Sequence, residues 1–161
     1  VRFAGIVLSL PASWFVWRAA ALILKDENRA GLAVLFFNLT LMASVELLAA
    51  TPDMPSLVTS AAFVYFLARV QQMGEGRAWL GAGIAAGLGL LSKYSILFLG
   101  AGALVWMMVD RDARKWLLSP WPYLGGLLAL AVVYFVLGYL FDLFSGCDDH
   151  NAVTQFEYCI E

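Results

Sequence analysis

Long apolar runs separated by short polar clusters set the layout of this chain. Residues 3–24 are apolar except for Ser9, Ser13 and Arg18 and lead into Lys25-Asp26-Glu27-Asn28-Arg29, which predicts a first helix and then a loop. Residues 30–50 predict a second helix, with Glu46 as its one ionisable residue. The break that follows, Ala50-Thr51-Pro52-Asp53-Met54-Pro55-Ser56, sets two prolines around one carboxylate. Neither proline can donate a backbone hydrogen bond, and both restrict the residue before them, so the segment reads as a turn between helices. Thr51 or Ser56 would cap the incoming helix. Residues 56–70 predict a third helix, which gives way to Gln71-Gln72-Met73-Gly74-Glu75-Gly76-Arg77, where the two glycines mark a turn.

The next apolar run, residues 79–109, is too long for one crossing of a bilayer and short for two. Its middle carries Ser92-Lys93-Tyr94-Ser95. If the basic loops at 25–29, 69–77 and 111–115 share the cytoplasmic side, an even number of crossings separates each from the next, so 79–109 must cross twice. That arrangement leaves only Arg2 and Lys93, of ten basic residues, on the far side. It also puts Lys93 on the same face as Asp53. Two helices of 14 residues reach only about 21 Å each, so the turn at 92–95 is expected to be sunk below the membrane surface. Before it, Gly83 and Gly87 lie on a small-residue surface suited to close helix packing. Pro120 and Pro122 open a last helix over 121–144, with Trp116, Trp121 and Tyr123 as an interfacial belt.

Six spans result, near 3–24, 30–50, 56–70, 79–92, 95–109 and 121–144, followed by a polar tail at 145–161. Composition supports an all-α, polytopic transmembrane helix bundle. Hydrophobic residues make up 62% of the chain and charged residues 14%, against about 45–50% and 25% in soluble domains. So little is left outside the spans that a sizeable soluble domain is excluded. A net charge of −2 spread over short loops argues against nucleic-acid binding. The first apolar run lacks a basic leader and a small-residue cleavage site, so it reads as a span rather than a signal peptide, and the start at Val1 reads as an internal cut. Cys147 and Cys159 fall in the tail, either as a disulfide or as two thiols. Asp148, Asp149 and His150 complete no metal-ligand set, and the Asn38-Leu39-Thr40 glycosylation pattern lies within a span.

Ionisable groups in or beside membrane spans are costly and mark candidate chemistry. Glu46 and Asp53 are two helical turns apart, and Lys93 joins them from the other turn. A lysine ammonium suits a lipid phosphate, and an exoplasmic carboxylate with a recessed cation would serve an enzyme whose leaving group is a lipid phosphate. The alternative is structural: Lys93 compensates Asp53 or Glu46 in a transporter or scaffold for lipid-linked substrates.

The succession Val1-Arg2-Phe3, Ala50-Thr51-Pro52-Asp53-Met54-Pro55 and Gly87-Leu88-Gly89-Leu90-Leu91-Ser92-Lys93-Tyr94-Ser95 resembles the bacterial branch of the dolichyl-phosphate-mannose protein mannosyltransferases, glycosyltransferase family 39, over residues 1–137. That group includes the aminoarabinose transferases of lipid A. The resemblance implies a GT-C membrane glycosyltransferase that moves a sugar from a polyprenyl-phosphate donor to a lipid, protein or glycan acceptor, at the exoplasmic face of a bacterial inner membrane. It implies Asp53 as a second acidic residue of the site and Lys93 as a basic residue near the donor phosphate; the candidate set is then Asp53 as catalytic, with Lys93, Tyr94, Arg2 and Glu46 as substrate-binding residues. No cofactor is implied for these residues. The family's main acidic motif, commonly Asp-Glu, precedes the arginine that Arg2 resembles, so these 161 residues are expected to be a fragment inactive on their own. The stretch 138–161 departs from the family pattern, and His150 is not equated with the family histidine.

Overall fold

The computed structural model describes residues 2–40 and 54–145. Among them are six α-helices, α1 (Arg2–Leu24), α2 (Glu27–Leu39), α3 (Met54–Met73), α4 (Ala78–Ser92), α5 (Ile96–Val109) and α6 (Trp121–Ser145), with a 3₁₀ helix at Arg114–Leu118. No strand occurs among the described residues, so the protein is all-α.

Local chemistry sets most of the helix ends. The cluster at 25–29 is mostly helix rather than loop, because the Asp26 carboxylate caps α2 by accepting the Asn28 N–H at 3.0 Å and Glu27 sits in the first turn. The second helix does not continue unbroken toward Ala50. Thr40 takes an extended backbone, and its N–H and hydroxyl both turn back onto the Phe36 carbonyl. Helix α3 starts at Met54, with Pro55 in its first turn where a missing N–H costs nothing, so Ser56 lies inside the helix and not at its cap. Thr51 lies outside the described residues.

Helices α1 and α3 end alike. Lys25 donates its N–H to the Ala21 carbonyl and Gly74 donates to Val70, and both residues have positive φ, 53° and 66°. Gly74 adopts this left-handed conformation freely, whereas a side chain there costs about 1–2 kcal/mol. Lys25 is the non-glycine exception among the described residues.

Helix α4 is the centre of the bundle. Its buried residues are Ala78, Trp79, Ala82, Gly83, Ala85, Gly87 and Gly89, all small except the tryptophan. On one side α3 presses in: the Phe66 ring covers Gly81, and Ala62 and Phe63 pack with Ala82 and Ala85. On the other, a side chain at Gly83 would run into the backbone of Gly125, and one at Gly87 would lie 2.9 Å from the Ala129 carbonyl oxygen. The Gly83/Gly87 surface is therefore the α4–α6 contact. Helix α1 packs on α3 through Ala19, Ala68 and a ring cluster of Trp14, Phe15, Tyr65 and Phe66. Helix α2 lies outermost on α1, tied by the Asn38 side-chain N–H to Ser13 Oγ at 3.1 Å. Helix α5 contributes Ala103 and Met107 to the core but leaves Phe98, Val105 and Val109 exposed.

Apolar residues face outward as well as inward. Helix α1 from Val7 to Leu24 and α6 from Trp121 to Asp142 are long and apolar enough to cross a bilayer, and little of either is buried. Leu130, Tyr134 and Phe135 of α6 are each more than 60% exposed. A soluble fold would bury such helices, so the chain is a membrane protein whose outer surface faces lipid.

The packing sets two expected outcomes for unfolding in mixed detergent micelles followed by helical circular dichroism. Gly83→Val should destabilise by about 1–3 kcal/mol through collision with α6, whereas Gly102→Ala, which meets nothing within 4 Å, should be neutral or slightly stabilising. Gly74→Ala should cost about 1–2 kcal/mol, and Lys25→Gly should be stabilising, because the two positions share one backbone conformation.

Candidate functional site

The polar residues at 92–95 split the apolar run 79–109 into two antiparallel helices. Lys93 closes α4 with an extended backbone (φ −159°, ψ 135°), its N–H donating to the Gly89 carbonyl at 2.8 Å. The turn then restarts as α5, with the Leu97 N–H on the Tyr94 carbonyl and the Phe98 N–H on the Ser95 carbonyl. Lys93 is partly buried, and Tyr94 is exposed at the tip.

Helix register decides what shares the level of Lys93. Helices α3 and α4 are antiparallel, with Phe66 opposite Gly81 and Thr59 opposite Gly89. Continuing that register by one turn brings Lys93 level with Pro55, directly after the described start of α3. Helix α1 runs parallel to α3, with Phe15 against Tyr65, so Arg2 at its head belongs to the same end. Helix α6 runs parallel to α4, pairing Trp121 with Gly76 and Val132 with Gly87. Since α6 continues to Ser145, it extends about 10 Å beyond the level of Lys93. The lysine turn is thus recessed beside a longer apolar helix.

Near this turn the structure adds polar groups that the run of candidates from sequence omitted. Ser56 is 7% exposed in the first turn of α3, and the Thr59 hydroxyl donates to the Pro55 carbonyl at 2.9 Å and contacts Ser56 O at 3.0 Å. The signal was the i, i+3 spacing of Ser56 and Thr59, which places both on one helix face. Asp53 and Glu46 lie outside the described residues, as do Cys147, Asp148, Asp149, His150 and Cys159. The backbone of Arg2 opens α1. Lys93 and Tyr94 are therefore the candidate residues whose surroundings the structure describes. No group of three or more potential metal ligands occurs among the described residues.

The opposite end is basic. Lys25 and Arg29 after α1, Arg69 and Arg77 around the α3–α4 turn, and Arg111, Arg114 and Lys115 after α5 all lie there, with Arg18 one and a half turns deeper. Arg69 pairs with Glu75 at 2.6 Å, and an Arg114 side-chain N–H donates to the Met108 carbonyl at 2.7 Å.

A family described as dolichyl-phosphate-mannose-protein mannosyltransferase matches the chain over residues 1–139. No curated protein and no solved structure matches it.

Opposed ends lead to an expected labelling pattern. In sealed, oriented membrane vesicles, Tyr94→Cys and Arg77→Cys should react with a membrane-impermeant maleimide from opposite sides. Labelling of both from one side would contradict the two crossings by α4 and α5.

Proposed function

Because the chain belongs to the dolichyl-phosphate-mannose-protein mannosyltransferase family of membrane glycosyltransferases, we propose that the intact protein transfers a sugar from a polyprenyl-phosphate donor to an acceptor at the end of the bundle that carries Lys93. The acceptor hydroxyl oxygen bonds to the anomeric carbon while the bond from that carbon to the phosphate oxygen breaks, inverting the centre. The hydroxyl proton passes to a carboxylate, and the polyprenyl phosphate leaves with the bonding electrons. Asp53 is the proposed acidic residue that orients or deprotonates the acceptor. Lys93 holds the donor phosphate and stabilises the charge it gains as it leaves. Arg2, Tyr94 and Glu46 are the proposed lining of the same site.

The observation that carries this reading is the α3/α4 register, which sets Lys93 level with Pro55, two residues after Asp53. A cation recessed beside lipid-facing α6 is within reach of a phosphate whose polyprenyl chain stays in the bilayer, and an ammonium there needs less water around it when paired with that phosphate. The face proposed for transfer is the exoplasmic, periplasmic side of a bacterial inner membrane. The support for it is the charge distribution, since eight of the ten Lys and Arg residues belong to the other end.

In membrane vesicles containing the intact protein, Asp53→Asn should lower sugar transfer from a polyprenyl-phosphate donor by about 10²–10⁴-fold. Lys93→Ala should lower it by about 10²–10³-fold. Lys93→Arg should keep part of the activity, because it retains the charge. Undiminished transfer by correctly inserted Asp53→Asn and Lys93→Ala proteins would leave the two charges as a structural pair of the kind a transporter or scaffold would hold.

A further inference from the structure

At the basic end, α1 and α3 enclose a recess of about 440 Å³ bordered by Arg18, Lys25, Asp26, Glu27, Tyr65 and Arg69. It lies at the opposite end of the bundle from Lys93, so the proposed sugar transfer does not use it. We propose that this recess binds the phosphate of an anionic phospholipid from the leaflet at that end.

The charges are arranged for an anion. Asp26 is engaged by the Asn28 N–H and by Arg29 at 3.2 Å, and Glu75 is engaged by Arg69. Arg18 and Lys25 have no carboxylate ion pair among the described residues. The lining sets Arg18, Lys25 and Arg69 against Asp26 and Glu27, so the recess carries one excess positive charge. A zwitterionic headgroup brings its own cation into that excess, whereas an anionic one does not.

Depth selects a lipid over a dissolved anion. Arg18 lies six residues inside the end of α1, about 9 Å into the helix, with its guanidinium 5.9 and 5.8 Å from the Trp14 and Trp17 rings. Trp14 and Trp17 lie ten and seven residues inside that same end, so the guanidinium stacks on rings within the apolar span and not at its surface. Ala21, Leu22 and Met73 supply apolar wall beside the cations. A glycerophospholipid whose phosphate meets Arg18 and Lys25 runs its chains along that wall, whereas a free phosphate gains nothing from it.

Lys25 is the most telling residue. It occupies the same helix-ending, positive-φ position that glycine fills at residue 74, and it does so against the conformational preference of its side chain. The conformation turns the chain from α1 into α2 at the mouth of the recess and sets an ammonium there.

The test uses the intact protein in mild detergent, titrated with phosphatidylglycerol or phosphatidylcholine, with bound lipid counted by native mass spectrometry. Phosphatidylglycerol should be retained about tenfold over phosphatidylcholine, and Arg18→Gln and Lys25→Gly should each lower its retention about fivefold or more. Arg77→Gln and Arg111→Gln, basic residues of the same end but outside the recess, should change it less than about twofold. Lys25→Gly relaxes the backbone, so its loss of lipid cannot be attributed to unfolding, and Arg18→Lys should retain most of the binding. Equal retention of the two lipids, or equal losses from Arg77→Gln and Arg18→Gln, would overturn the proposal in favour of diffuse charge attraction. Displacement of the lipid by millimolar inorganic phosphate would overturn it in favour of a soluble-anion site.

Discussion

The close approach of α4 to its neighbours is the contact on which the rest of the bundle depends. In a membrane, apolar side chains gain little by leaving lipid for protein, so helix association relies on dispersion contacts that strengthen as backbones draw together. Helix α4 permits that approach on two sides at once, at Gly81 and Gly89 toward α3 and at Gly83 and Gly87 toward α6. Gly125 reciprocates from α6, where an added Cβ would meet the Trp79 carbonyl oxygen at 2.6 Å. The outer helices then attach in sequence, α1 to α3 by a ring cluster and α2 to α1 by the Ser13–Asn38 pair.

That packing is also what positions the lysine turn. Helices α4 and α5 are short, at 15 and 14 residues, whereas α6 has 25. With α4 and α6 parallel and their lower ends together at Gly76 and Trp121, the difference in length appears at the other end as a recess. A polar turn between two apolar helices needs partners for its backbone. Here the Lys93 N–H returns to Gly89, and the following amides bond to the carbonyls of Tyr94 and Ser95. Lys93 is thereby held about 10 Å short of the end of α6 by helix lengths and register.

The two ends of the protein handle charge differently. The basic end spreads its cations over three loops, two of them paired with carboxylates among the described residues, Arg29 with Asp26 and Arg69 with Glu75. Exposed pairs of this kind contribute little to stability, and their effect lies more in orientation and in contact with lipid headgroups. At the other end, Lys93 is partly buried in the turn between α4 and α5, a setting that screens a charge less than open solvent does.

Much of this was legible in the chain itself. The all-α class, the two turns bracketing α4, the glycine surface at Gly83 and Gly87, and the family all follow from apolar run lengths, polar breaks and short motifs, because lipid leaves the backbone few alternatives to helix. Helix ends were less legible. The Asp26 cap and the extended Thr40 depend on single hydrogen bonds that compete with a strongly apolar background, and run length does not register them. The residue-by-residue register that sets Lys93 level with Pro55, and the convergence of Arg18, Lys25 and Arg69 around one recess, were decided by tertiary structure alone. Each depends on how far one helix slides along another, and that is set by where side chains are absent at the contact, a relation between distant segments that no single stretch of sequence contains.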